Sequence, residues 1–226
     1  MKNYSDFVMA MSLVQPEVPC LHRIHIGQST GTHTIHESLG MSIELNEIKS
    51  RLFHLNKLAG ELCLPKGSVF VTFDDGWSDC LLLREHFHNL EYLQPVIFLT
   101  LNQMKGDQNS LPLPRLYAWC LINSVDIQSL PSSEMSRQKL KLLSEETQHQ
   151  ILDEHGVSEL NSSTDFLQSE LLSQLMSDGW ILGSHSHDHH DLRKMDDDLL
   201  HEGLNNALEM TLKLGGKPWL AWPEGR

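Results

Sequence analysis

The run Ser68–Phe73 (SVFVTF) is β-branched and aromatic, preceded by Gly67 and cut off at Asp74-Asp75-Gly76. A stretch of that length and composition reads as a buried strand, which needs cover on both faces. Before it, Ile48, Leu52 and Leu55 recur at helical spacing, with Ser42 placed to cap the start and Gly60 to end it. After it, Ser78–Leu90 reads as a helix and Pro95–Thr100 (PVIFLT) as another buried strand. Upstream, Cys20–Ile26 (CLHRIHI) reads as a first strand carrying His22 and His25.

The alternation lapses between Leu101 and Ser163, where Pro112 and Pro114 break the chain and Tyr117–Ile122 and Met135–His155 look helical. Its apolar content is thin, so residues 101–163 are expected to be a helical insertion within one domain spanning 1–226. The pattern then resumes with helix Thr164–Asp178, strand Trp180–Gly183, amphipathic helix Asp196–Leu214 and a last short strand, Pro218–Trp222. Strand–helix repetition of this kind predicts an α/β fold with a mostly parallel sheet. In such folds ligands gather at the carboxyl ends of the strands. Three polar clusters fall there: Asp74-Asp75, His185–Asp191 and Pro223-Glu224.

The composition narrows the function classes. A net charge of -13 with no basic stripe argues against a nucleic-acid partner. The longest apolar runs are too short to cross a bilayer. Met1 to Pro19 holds a single lysine and no sustained apolar core, so it does not read as a signal peptide, and a cytoplasmic location is expected. Cys20, Cys63, Cys80 and Cys120 lack C-x-x-C spacing and are expected to be small buried residues in a reducing compartment.

The densest chemistry lies in Gly183-Ser184-His185-Ser186-His187-Asp188-His189-His190-Asp191-Leu192. Neutral imidazole is the commonest protein ligand for a divalent metal and carboxylate a frequent companion. His185/His189, His187/His190 and His185/His190 are all pairs that could converge on one ion, and a His-rich surface loop is the plain alternative. A catalytic site of the zinc type has three protein ligands and an open position. His185, His189 and one of Asp74-Asp75 supply that number, and the second aspartate is free to take a proton from water, whose pKa a bound metal lowers from about 15.7 toward about 7. The reaction class that follows is acyl hydrolysis through a tetrahedral intermediate held partly by a backbone N–H. Asp74-Asp75-Gly76 could equally be a simple turn. Trp77 and Trp222 flank the clusters, where they could stack on a sugar ring or merely pack.

These motifs resemble those of a known family. Val71-Thr72-Phe73-Asp74-Asp75-Gly76 is similar to the first motif of the polysaccharide deacetylases (NodB-homology domains, carbohydrate esterase family 4). Gly183-Ser184-His185-Ser186-His187-Asp188-His189 resembles the second, H-[S/T]-x-x-H, and Ala221-Trp222-Pro223-Glu224-Gly225 a variant of the third. Leu21-His22-Arg23 resembles the family's first-strand stretch. The resemblance implies a distorted (β/α) barrel and a metal-dependent hydrolase that removes N-acetyl groups from amino sugars of a polysaccharide, oligosaccharide or glycoconjugate. By it, Asp74 is the catalytic base, and Asp75, His185 and His189 hold the metal, usually zinc, with cobalt or nickel as substitutes. Ser186 braces the loop, and Pro223 and the Glu224 N–H stand at the oxyanion.

The chain departs from that pattern in three places. Glu224 stands where the family has Tyr, and Ala221 where it often has Arg. The family's later motifs, including the histidine that acts as general acid, fall beyond Arg226, so the barrel is expected to be incomplete at its C-terminus; His22 is a substitute acid to consider. Two other functions are compatible with these departures: a non-catalytic metal- and glycan-binding module, and a small-amide hydrolase on the same scaffold.

Overall fold

The computed structural model describes residues 21–101, 112–157, 166–187, 189 and 192–223. Its strands are short and all pair in parallel. β1 (Arg23–His25) pairs with β2 (Ser42–Glu44), and β3 (Val69–Phe73), β4 (Leu93–Leu99) and β5 (Ile181–Ser184) form a second sheet in that order. Leu21 bridges to Phe73 and Leu220 to Ser184, which extends the sheet as an open arc at both sides. The described strands form no closed barrel, so the expected barrel is reduced to this parallel arc. The expected strand at Pro218–Trp222 amounts to the single bridge at Leu220.

Helices cover the arc as the apolar spacing requires. α1 (Thr32–Ser38) joins β1 to β2. α2 (Leu45–Glu61) turns Ile48, Leu52, Leu55 and Ala59 inward. It is capped by Glu44, whose carboxylate accepts from the N–H groups of Asn46 (2.7 Å) and Glu47 (3.0 Å), and not by Ser42, which belongs to β2. The segment expected as one helix from Ser78 is a 3₁₀ turn, Ser78–Leu83, followed by the short α3 (Arg84–Phe87). α7 (Ser169–Ser177) precedes β5, and α8 (Asp197–Lys213), capped by Asp196, follows it. The main core gathers Ile48, Leu52, Val71, Phe73, Leu83, Ile97, Leu175, Trp180 and Leu182 around the sheet.

Between β4 and α7 lie α4 (Pro112–Ile122), α5 (Arg137–Leu140) and α6 (Glu145–Glu154). Thin as its apolar content is, this segment closes its own core from Leu116, Cys120, Met135, Leu140, Leu152 and Val157. Arg115 is buried there and pairs with Asp153, with the Val157 carbonyl and with His149 Nδ1 at 3.1 Å. Tyr117 of α4 meets His36 of α1 edge to face, with ring centroids 5.1 Å apart, which ties the helices to the sheet side. No described helix is long and apolar enough to cross a membrane. Cys80 and Cys120 are buried free thiols, whereas Cys63 is exposed; Cys20 lies outside the described residues.

Candidate metal centre

β3 ends where Leu21 takes over its hydrogen bonding. The Leu21 N–H donates to the Thr72 carbonyl (3.0 Å) and the Asp74 N–H to the Leu21 carbonyl (2.9 Å). Asp75 then enters the left-handed region (φ 68°), which a non-glycine residue seldom occupies, and Gly76 follows at φ 83°. This reversal leaves Asp74 and Asp75 both buried and both lining one cavity of about 620 Å³.

β5 delivers the imidazoles in a similar way. The His185 N–H donates to the Leu99 carbonyl at 2.7 Å, extending the β4–β5 pairing by one residue. Ser186 (φ 70°) and His189 (φ 60°) are left-handed as well. The Ser186 hydroxyl oxygen accepts from the His189 N–H at 3.0 Å, which fixes the turn that returns His189 toward His185. His185 Nδ1 lies 3.0 Å from the Ala221 carbonyl. A carbonyl can only accept, so Nδ1 carries a proton there and Nε2 is the atom presented to the aspartates.

The two loops meet. His185 Nε2 stands 3.5 Å and His189 Nε2 3.3 Å from Asp75 Oδ1, and one ligand atom from each of the three lies within 4.8 Å of the others. Asp74 Oδ2 is 3.7 Å from His185 Nε2. Oδ1 of Asp75 and Oδ1 of Asp74 are buried without a hydrogen-bond partner among the described residues. Such orphaned oxygens call for an explanation, and an ion is one. Burial opposes ionisation of Asp75, yet the His189, His185 and His22 imidazoles and the Trp77 N–H hold its carboxyl well below the usual carboxylate range. Two nitrogens and a carboxylate oxygen at this spacing fit a zinc-type ion.

The remaining expected residues divide. His22 and Trp222 line the cavity, Trp222 half exposed, and Pro223 is buried beside them. Trp77 lines the cavity too, but little of its surface is open. It is 6% exposed, Phe166 stacks on it at 4.2 Å between centroids, and the Arg23 guanidinium carbon lies 4.1 Å from the ring centre. With its faces so occupied it serves Asp75 through its edge, the indole N–H donating to Oδ2 at 3.2 Å. Glu224, Asp188, His190 and Asp191 lie outside the described residues, as do the alternative pairings through His190. Sequence spacing missed His36, Tyr117, Arg137, Lys141 and Gln148, which line the cavity from α1 and the 112–157 helices. No motif marks them, because their role follows from how those helices dock.

No family model matches the chain, and no curated protein matches it in sequence. Among solved structures, a polysaccharide deacetylase from Bacillus cereus superposes with a TM-score of 0.52 at 14% identity, covering 91% of this chain and 50% of its own. BA0330 of Bacillus anthracis, a candidate polysaccharide deacetylase, superposes with a TM-score of 0.45 at 14% identity, over 90% of this chain and 49% of its own. The likeness is one of fold: the chain has a polysaccharide-deacetylase fold and spans about half the length of the structures it matches.

Proposed function

We propose that this chain is a metal-dependent hydrolase that removes N-acetyl groups from amino sugars of a saccharide. The observation that carries the reading is the buried Asp75 Oδ1, without a hydrogen bond among the described residues and faced by His185 Nε2 and His189 Nε2. Asp75, His185 and His189 would hold the ion, zinc in the first instance and cobalt or nickel as substitutes. A divalent ion in such a site lowers the pKa of water and polarises an acyl oxygen.

The chain's own residues take the other parts. Asp74 accepts the proton of the attacking water through Oδ1, which has no hydrogen bond among the described residues. His22, lining the same cavity, is the group available to protonate the departing amine. Trp222 offers a half-exposed ring to a sugar face, and the Glu224 N–H, next to Pro223, is assigned to the developing oxyanion. The test is acetate release from N-acetylglucosamine oligomers with added zinc or cobalt. The reading expects release that falls roughly 100-fold or more in Asp74→Asn with metal retained; no release from the zinc-loaded protein contradicts it.

One observation favours a second reading, a metal- and glycan-binding module without turnover. Ala221 stands where the family often has an arginine, and Asp74 Oδ1 has no hydrogen-bond partner among the described residues. Saturable saccharide binding by the zinc-loaded protein with no acetate produced would select this reading over the first.

A further inference from the structure

The helices after β4 contribute two cations to the cavity lining. They are Arg137, the first residue of α5, and Lys141, one turn later. Every other arginine described above has a carboxylate partner: Arg23 with Asp79, Arg84 with Asp178 and Arg115 with Asp153. Arg137 has none. Its Nε is buried with no hydrogen-bond partner, and its Nη2 leans on the thioether sulfur of Met41 at 3.5 Å. Thioether sulfur is a weak acceptor, and a guanidinium stays charged with five donors to satisfy. Arg137 as a whole is partly buried, and leaving its enclosed Nε unmatched is costly unless a ligand supplies the match. The described acids lining this cavity are Asp74 and Asp75, which the metal centre already claims.

We propose that Arg137, with Lys141 beside it, is an anion-binding subsite of this cavity, and that the saccharide it takes carries a carboxylate or phosphate group besides its N-acetyl group. The planar fork of Arg137 suits either anion in a two-bond contact, and Lys141 adds a point charge from the same side. A cavity of about 620 Å³ has room for a sugar at the metal end and its charged substituent at the helical wall. The subsite rests on the deacetylase reading for the sugar alone; the anion preference stands on Arg137.

Calorimetry on the zinc-loaded protein with N-acetylglucosamine, N-acetylglucosamine 6-phosphate and N-acetylmuramic acid tests it. The expected result is at least tenfold tighter binding of one or both anionic sugars, with the phosphate and carboxylate arms showing which anion is preferred. Arg137→Gln should bring the anionic sugars to the affinity of the neutral one, and Arg137→Lys should keep part of the preference, with thermal melts confirming that both variants fold. Equal affinities for neutral and anionic sugars, a preference that survives Arg137→Gln, or no saturable binding of the anionic sugars overturns the subsite. Anion preference without acetate release would instead retire the hydrolase reading, and acetate release without anion preference would retire the subsite alone.

Discussion

The indole N–H of Trp77 donates to Oδ2 of Asp75 at 3.2 Å, so the carboxylate's other oxygen is the one turned to His185 and His189. Two residues of the same loop thereby set the direction in which the acid presents its free atom. The Trp77 ring is itself clamped by Phe166 and Arg23, and Arg23 is paired with Asp79. Orientation at the metal centre is therefore inherited from the packing of the 3₁₀ turn beneath it.

Trp77→Phe tests that inheritance. Phenylalanine keeps the stacking on Phe166 and removes the donor. Zinc affinity should fall by about 10–100-fold, the range for loss of an outer partner of a ligand. A zinc titration of the folded variant measures it; unchanged affinity would show that Asp75 is held by its backbone alone.

Gly183 stands where β5 has no room for a side chain. A Cβ placed there would lie 2.6 Å from the Phe98 ring and 3.1 Å from the Trp219 carbonyl oxygen. Gly183→Ala should cost about 1–3 kcal/mol of stability by overpacking, and it should disturb His185, two residues on. Chemical denaturation read alongside the zinc titration checks both effects. Wild-type stability in the variant would mean that Phe98 moves aside freely.

His36 gives a pH dependence of stability. Burial lowers its pKa from the ordinary 6.5 to about 4, and its Nδ1 lies 2.8 Å from the Thr32 carbonyl, which keeps the neutral ring protonated on that nitrogen. The folded pKa lies below the unfolded one, so the unfolded chain binds the extra proton as pH falls through 6.5. Stability from this residue is full above pH 6.5 and drains toward pH 4, by about 2 kcal/mol at pH 5. Urea midpoints at pH 7 and pH 5 should differ less in His36→Gln than in the wild type. An equal difference in both would assign the acid sensitivity to other groups.

How much of this was readable in the sequence depended on whether a segment's reason for its shape lay within itself. Val69–Phe73 and Ile181–Ser184 announce themselves as strands, though Phe70 leaves the first covered on one face only, and the acids and imidazoles at their ends follow from the rule of strand termini. Gly183, part of a motif in the sequence, has its cause in the Phe98 ring and the Trp219 backbone. β1 and β2 are too short for a period to show. α1 (THTIHES) has no apolar repeat, and its one fully buried side chain, His36, is held by rings from two distant segments, Trp77 and Tyr117. Trp77 stays open between platform and packing residue in the sequence, because a tryptophan beside a site reads alike whether its faces are open or covered. Arg137 and Lys141 reach the cavity only through the docking of helices whose own sequence shows no chemistry.

The central claim is that Asp75, His185 and His189 hold one divalent ion while Asp74 stands apart from it, and a zinc titration by calorimetry across four single variants addresses it directly. The wild type should bind one ion per chain. Asp75→Ala, His185→Ala and His189→Ala should each lose more than the roughly 10–100-fold expected of an outer partner, and Asp74→Asn should bind zinc much as the wild type does. Zinc binding that persists unchanged in Asp75→Ala and His185→Ala would contradict the account.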